Sequence, residues 1–296
     1  MPTAVERLLD SFLKFDGLRE QDALNDAFVK IDDTIVNLAN ASADDFLKIK
    51  LESDLKGEFN VIGGAFLKLG SDFHKVATAG QLIDDFVLKL TGSPIVGSVD
   101  GGSSPQTDFV VLDHKIDATS TDLKILGVDF LKIHTATSPD SFTIKLTNVS
   151  TDFLKLGGDM AADRDAFLKL GADFLKLGGT NTDSSSPLDL AYKEFGGDLR
   201  TVAGQFDLLA NDFLKLGQAV QADGSVTVEA GGGGGAGKVG ATLALLYQDF
   251  FALEASMNTI GGAATQLIGL LSHEQKVDGG PPTIVGDVTN HGGGHG

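Results

Sequence analysis

The chain repeats a short segment, Asp-Phe-Leu-Lys-Leu-Gly, with close variants. Ten of its 19 phenylalanines are followed two residues later by a lysine. On a helical wheel, the Phe and both Leu of the repeat fall on one arc, and the Lys and Asp fall on the opposite arc. In a strand, Phe would share a face with Lys, which would mix apolar and charged residues on both faces. The repeat therefore predicts amphipathic helices with solvent-facing aspartates. The ten phenylalanines are Phe12, Phe28, Phe46, Phe66, Phe73, Phe130, Phe153, Phe167, Phe174 and Phe213.

The apolar spacing continues beyond the repeat. Apolar residues spaced alternately three and four apart form runs over 24–38, 59–76 (resumed at 83–90), 153–177, 188–220 and 239–271. Asp163 interrupts the run over 153–177. A period of 3.5 residues keeps one apolar stripe of each helix facing its neighbour, as in helices packed side by side. Helices over about 57–91, 188–221 and 239–272 would each be roughly 50 Å long at 1.5 Å per residue. The sequence predicts a mainly α protein, an elongated heptad-patterned helical bundle with about five helices.

Proline and glycine positions agree with these helices. All seven prolines lie outside the heptad interiors, where proline would remove a backbone donor. Ser186-Pro187 has the form of a helix start, and Gly178-Gly179 and Gly92 stand where a left-handed C-cap would be needed. The Gly at the end of the repeat lies near the apolar arc. It indicates either a close approach of two helix backbones or a C-cap after a one-turn helix.

The period changes between Pro94 and about Ser150. Phe142, Ile144 and Leu146 alternate with polar residues, and 108–117 is rich in Val. We expect a small β-rich insert here, although 127–133 resembles the helical repeat and leaves continued helix as the alternative. The predicted organisation is N-terminal bundle helices at 1–93, the β-rich insert at 94–150, C-terminal bundle helices at 151–276 and a flexible Gly/His tail at 277–296.

Composition excludes several classes of function. The net charge is −18 and the isoelectric point is near 4.5, so the chain repels nucleic-acid backbones and anionic lipids at long range. The absence of cysteine excludes disulfides and thiolate chemistry. The first ten residues are amphipathic and include charged side chains, so they lack the apolar core of a secretory signal peptide. The stretch 255–272 is too polar for a membrane span.

Candidate sites are few. Residues 232–239 match the spacing of a phosphate-binding loop, but Val239 stands where Ser or Thr would hold Mg²⁺, which favours a glycine linker. His291 and His295 in the tail are candidate metal ligands on a chain with no rigid scaffold. A further acid/base or metal candidate comprises His114, His134, Asp113 and Asp117, and structural roles are expected for His74 and His273. No catalytic residue and no cofactor is predicted.

A repeated Phe/Leu face is typical of packing, whereas catalysis needs a few unique residues. We therefore expect a structural or interaction protein, not an enzyme, whose partner is itself. It would form an oligomer or filament through long helical seams and reach the cell surface or exterior without an N-terminal signal peptide. Terminal helices around a variable insert resemble the layout of bacterial filament subunits such as flagellins.

The alternative is a membrane-active, pore-forming or lipid-binding, helical protein, and only this alternative includes a membrane partner. Helices interrupted by a β-rich segment are similar in layout to elongated α-helical pore-forming toxins. Gly261, Thr265 and Gly269, spaced four apart, would allow close packing in lipid.

Overall fold

The structure is a computed structural model in which five helices are described. They are α1 (Leu55–Thr91), α2 (Pro105–Ile133), α3 (Pro139–Leu177), α4 (Pro187–Gln221) and α5 (Ala236–Asp278). The described residues are 55–91, 105–179, 186–221 and 236–278, with Ala27, Ser42, Asp45 and Lys48. The prediction of a mainly helical protein is confirmed over these residues. The predicted helix over 24–38 lies, apart from Ala27, outside them.

Proline marks the start of three helices. Pro105, Pro139 and Pro187 are the first residues of α2, α3 and α4, positions where the missing N–H would have no helical partner. The Ser138 hydroxyl accepts a hydrogen bond from the Ser141 N–H at 3.2 Å. Ser186 accepts one from the Asp189 N–H at 3.1 Å, as its predicted N-cap role requires.

The predicted end of α3 is also confirmed. The helix ends at Leu177, and Gly179 follows with a φ of 74°, the left-handed conformation that glycine adopts without strain. Gly92 lies outside the described residues.

The predicted β-rich insert is wrong. Its described part, 105–150, forms α2 and the first turns of α3, so the alternative of continued helix over 127–133 is confirmed. Phe142 and Leu146 are buried, but Ile144 between them is 63% exposed. Burial therefore follows the i, i+4 spacing of a helix and not the alternation of a strand. Residues 94–104 lie outside the described part of the chain.

Consecutive helices pack alongside one another in a bundle-like arrangement. The order of their contacts shows that α1 and α2, α2 and α3, and α3 and α4 run antiparallel. Phenylalanine rings join the helices in the core. Phe73 of α1 meets Phe206 of α4 edge to face at 6.0 Å, and it meets Phe250 of α5 at 6.4 Å. Phe153 of α3 meets Phe130 of α2 at 5.8 Å and Phe213 of α4 at 5.9 Å. One core therefore includes all five described helices.

Candidate functional site: the interfaces between helices

Glycines form the contact between α1 and α2, and again between α3 and α4. We call these two contacts the glycine interfaces. A Cβ built on Gly171 of α3 would lie 2.8 Å from the Gly196 carbonyl oxygen of α4, and the reverse distance is also 2.8 Å. In the same contacts, buried hydroxyls donate to glycine carbonyls of the partner helix: Ser120 to Gly70 at 2.6 Å and Ser150 to Gly217 at 2.7 Å. Close backbone approach is therefore the role of these glycines, and the C-cap interpretation is wrong for them.

Two copies of the repeat pack against each other across α3 and α4. Leu154 lies over Gly217, where a built Cβ would be 2.5 Å from the leucine side chain. In return, Leu214 lies over Gly157, where a built Cβ would be 2.7 Å from the Leu214 side chain. The first Leu of each copy therefore contacts the Gly of the other copy across the two helices. The Phe and the second Leu of each copy are buried in the core.

Aspartates form the contact between α2 and α3, which we call the acidic interface. Its carboxyl groups face one another in three pairs, Asp108 with Asp173, Asp122 with Asp159 and Asp129 with Asp152. Asp108 is only 2% exposed. The repeat aspartates Asp129 and Asp173 are each 15% exposed, so the sequence prediction that the repeat aspartates face solvent is wrong for them. A residue 100° from Phe on the wheel flanks the apolar arc, and here that flank meets the next helix.

Lysines cap the acidic interface from its surface side. Lys155 donates to Asp122 at 2.5 Å, and Lys169 donates to Asp108 at 2.7 Å, each across α2 and α3. Lys132 donates to Asp129 at 2.6 Å within α2, at the i, i+3 spacing that the repeat predicts. Each of these lysine side chains remains more than half exposed.

Burial and carboxyl pairing raise pKa values in the acidic interface. Burial, with the charges of Asp129 and Asp122, raises the pKa of Asp152 to about 6. Burial and the hydrogen bond with Asp122 raise the pKa of Asp159 to about 7. The pKa of Asp173 is also raised, by burial and by the hydrogen bond with Asp108. The α3 member of each pair therefore binds a proton more readily than an ordinary aspartate.

Asp163 occupies a core position of α3. It is 0% exposed and accepts a hydrogen bond from the Thr119 hydroxyl of α2 at 2.6 Å. Burial raises its pKa to about 8, against the opposing effect of the Thr119 hydrogen bond. Asp163, which interrupts the heptad pattern in the sequence, therefore makes a polar contact with Thr119 inside the core.

Of the other predicted acid/base or metal residues, Asp113, His114 and Asp117 lie within about one turn of α2, and His134 is remote from them. Asp117 pairs with His74 of α1 at 2.7 Å, and His114 is an exposed residue of α2. His134 lies about 30 Å along the chain from His114 at 1.5 Å per residue. Within the described ranges, no group of three or more Asp, Glu or His is placed to hold a metal ion.

Several predictions lie outside the described residues. They include the metal ligands His291 and His295 and the glycines at 232–235 of the possible phosphate-binding loop; α5 begins at Ala236, within that pattern. The side chain of His273 is not described.

Among the described helices, none combines the length and apolar character needed to cross a lipid bilayer. Gly261 is buried, whereas Thr265 and Gly269 are exposed, so the three do not share one exposed face. Comparison with protein-family models, curated proteins and solved structures finds no match to this chain.

Proposed function

We propose that this chain is a structural or interaction protein that self-associates, as an elongated heptad-patterned bundle, into an oligomer or filament. The residues of its repeat support this proposal, because they go into packing. In α2 and α3, Asp of the repeat lies in the acidic interface, Phe and the second Leu lie in the core, and Gly lies in the glycine interfaces. The glycine and acidic interfaces are used within one chain, so contact between chains needs another surface.

An exposed stripe on α2 supplies that surface and is the observation that carries the proposal. The residues of this stripe are spaced alternately three and four apart, as the core residues are. None of them is an aspartate, a glutamate or a lysine. Val111, Ile125 and Val128 are among the exposed large apolar residues of the described chain. The outward stripe, defined as Val111, His114, Ala118, Thr121, Ile125 and Val128, is exposed at every position.

Net charge sets the conditions for assembly. Two copies with a charge of −18 each repel at neutral pH and low salt. Salt screens this repulsion, and approach to the isoelectric point near 4.5 removes it. We therefore expect the assembled fraction to rise with salt and with mild acidification.

Light scattering coupled to size exclusion, at tens of micromolar protein, tests the proposal. Ile125→Glu should shift the mass distribution towards monomer. Leu208→Glu is the matched control, because Leu208 is exposed to a similar degree, 48% against 44%, but lies on α4. A strictly monomeric wild type at every salt concentration and pH, with no assemblies by negative-stain microscopy, would overturn the proposal. Leakage from liposomes would instead favour the membrane-active alternative.

A further inference from the structure

One carboxyl oxygen of each α3 aspartate in the acidic interface lacks a donor among the described residues. Asp152 Oδ2, Asp159 Oδ2 and Asp173 Oδ2 are buried, and no described residue donates a hydrogen bond to them. Each belongs to a carboxyl group that faces an aspartate of α2. Two ionised carboxylates are both acceptors only, so they cannot satisfy each other. A single proton held by the pair supplies the missing donor.

The cations nearby do not replace that proton. Lys155 faces three carboxyl groups at once, those of Asp122, Asp152 and Asp159. It hydrogen-bonds only Asp122, at 2.5 Å. Lys115 donates to the Ala162 carbonyl oxygen at 3.2 Å. The charged and titratable groups that face the interface are, from α2, Asp108, Lys115, Asp122, Asp129 and Lys132 and, from α3, Asp152, Lys155, Asp159, Asp163, Lys169, Asp173 and Lys176.

We propose that the contact between α2 and α3 is a proton-dependent switch, which is closed while its carboxyl pairs hold shared protons and loosens when they lose them. The glycine interfaces on either side rest on backbone contacts and hydroxyls, which do not titrate in this range. The ion pair across α1 and α2, His74 with Asp117, is more than half exposed on both sides and contributes little. Arg164 with Asp207, across α3 and α4, is likewise at the surface. The contacts within each hairpin, α1/α2 and α3/α4, should therefore change less with pH than the contact between α2 and α3. The ring pairs Phe109–Phe174 and Phe130–Phe153 also join α2 and α3, so this contact loosens and does not separate completely.

The sign of the effect follows from the raised pKa values. The folded interface binds more protons than the unfolded chain above about pH 4. The closed state is therefore favoured at acidic pH and weakens as pH rises. Because the pKa values of Asp152 and Asp159 are raised to about 6 and about 7, their stabilising contribution is lost as pH rises from about 4 to about 7. Asp212 and Asp249 repeat the arrangement between α4 and α5, where burial and Asp212 raise the pKa of Asp249 to about 6.

Spin labels can measure the two kinds of interface separately, because the chain contains no cysteine. The pair Thr121→Cys and Gly158→Cys reports on the distance from α2 to α3. The pair Thr121→Cys and Ser71→Cys reports on the glycine interface between α1 and α2. All three positions are exposed. Distances are measured by pulsed electron paramagnetic resonance from pH 5 to pH 9 at constant ionic strength.

We expect the α2–α3 distance to lengthen and broaden as pH rises, with the α1–α2 distance unchanged. An α2–α3 distance that stays constant from pH 5 to pH 9 would overturn the proposal, as would widening of both pairs together. Asp122→Asn with Asp159→Asn adds a second measurement, since two amides hydrogen-bond each other without a shared proton. This variant should reduce the pH-dependent widening, and the same widening in it as in wild type would contradict the switch. Asp165→Asn, at an exposed position of α3, is the matched control.

Discussion

Gly63 of α1 and Gly127 of α2 lie against each other where the backbones of their two helices approach closely. A Cβ built on either residue would lie 2.7 Å from the carbonyl oxygen of the other. Leu131 covers Gly63, and Leu67 covers Gly127 in return. The contact is reciprocal, so the glycines set the distance between the two backbones.

Substitution of Gly63 by alanine should lower the free energy of unfolding. The new methyl group would meet a backbone oxygen, which cannot move aside without separating the helices. Overpacking of this kind costs about 1–3 kcal/mol. Urea denaturation followed by circular dichroism measures the change.

Gly64→Ala is the matched control, because it adds the same atom one residue later. A Cβ there has nothing within 4 Å, so the variant should gain about 0.5–1 kcal/mol from the better helix propensity of alanine. Gly157→Ala and Gly158→Ala repeat the contrast in α3. Equal effects within such a pair would contradict the close approach.

Phe213 should be among the most costly positions to truncate. It is 0% exposed, and its ring lies 5.9 Å from that of Phe153 and 6.0 Å from that of Phe250. Phe213→Ala should therefore lower stability by about 3–5 kcal/mol, measured as a marked fall in melting temperature. Lys215→Ala removes a 2.7 Å hydrogen bond to Asp212 from a side chain that is 62% exposed, so it should cost no more than about 1 kcal/mol. Similar losses at both positions would show that the core is misassigned.

The sequence was sufficient for the helices and the phenylalanine core, because a period near 3.5 residues is strong over 30 residues or more. Phe206, Leu209 and Phe213 are buried as the spacing predicts. The sequence-based prediction failed at 105–150. Over a short window, the three alternating apolar residues Phe142, Ile144 and Leu146 fit a strand as well as they fit a helix. Pro105 and Pro139, which were predicted only to lie outside the heptad interiors, are helix starts.

The acidic interface was missed for a different reason. A single-helix wheel assigns polar residues to solvent, but it contains no neighbouring helix. The signal was present in the seven-residue spacing of Asp122 and Asp129 on α2 and of Asp152 and Asp159 on α3. Charged residues that recur every seven residues, alongside a heptad of apolar residues, indicate positions at the edge of a helix–helix interface. That two such flanks would carry the same sign of charge could not be inferred without knowing which helices pair.

Asp163 allows a direct test of whether a buried carboxyl group holds a proton in the folded protein. Its Oδ2 accepts the Thr119 hydroxyl, while its Oδ1 is buried with no donor among the described residues. The pKa of this carboxyl is raised to about 8, chiefly by burial, from about 3.9 in an unfolded chain. The folded protein therefore holds a proton that the unfolded chain releases, and the stabilising contribution present below about pH 4 is lost as pH rises towards 8.

Asp163→Asn should remove that loss, because the amide keeps an acceptor for Thr119 and stays neutral at every pH. We expect stability close to that of wild type at pH 4, near the unfolded pKa, and a gain of at least about 1.4 kcal/mol at pH 9, the free energy of one pKa unit. Urea denaturation of both proteins across this pH range measures the difference. Asp165→Asn, the same change at an exposed position two residues later, should leave the pH profile unaltered. If Asp163→Asn and wild type lose stability in parallel between pH 5 and pH 9, the Asp163 carboxyl does not hold a proton in the folded core.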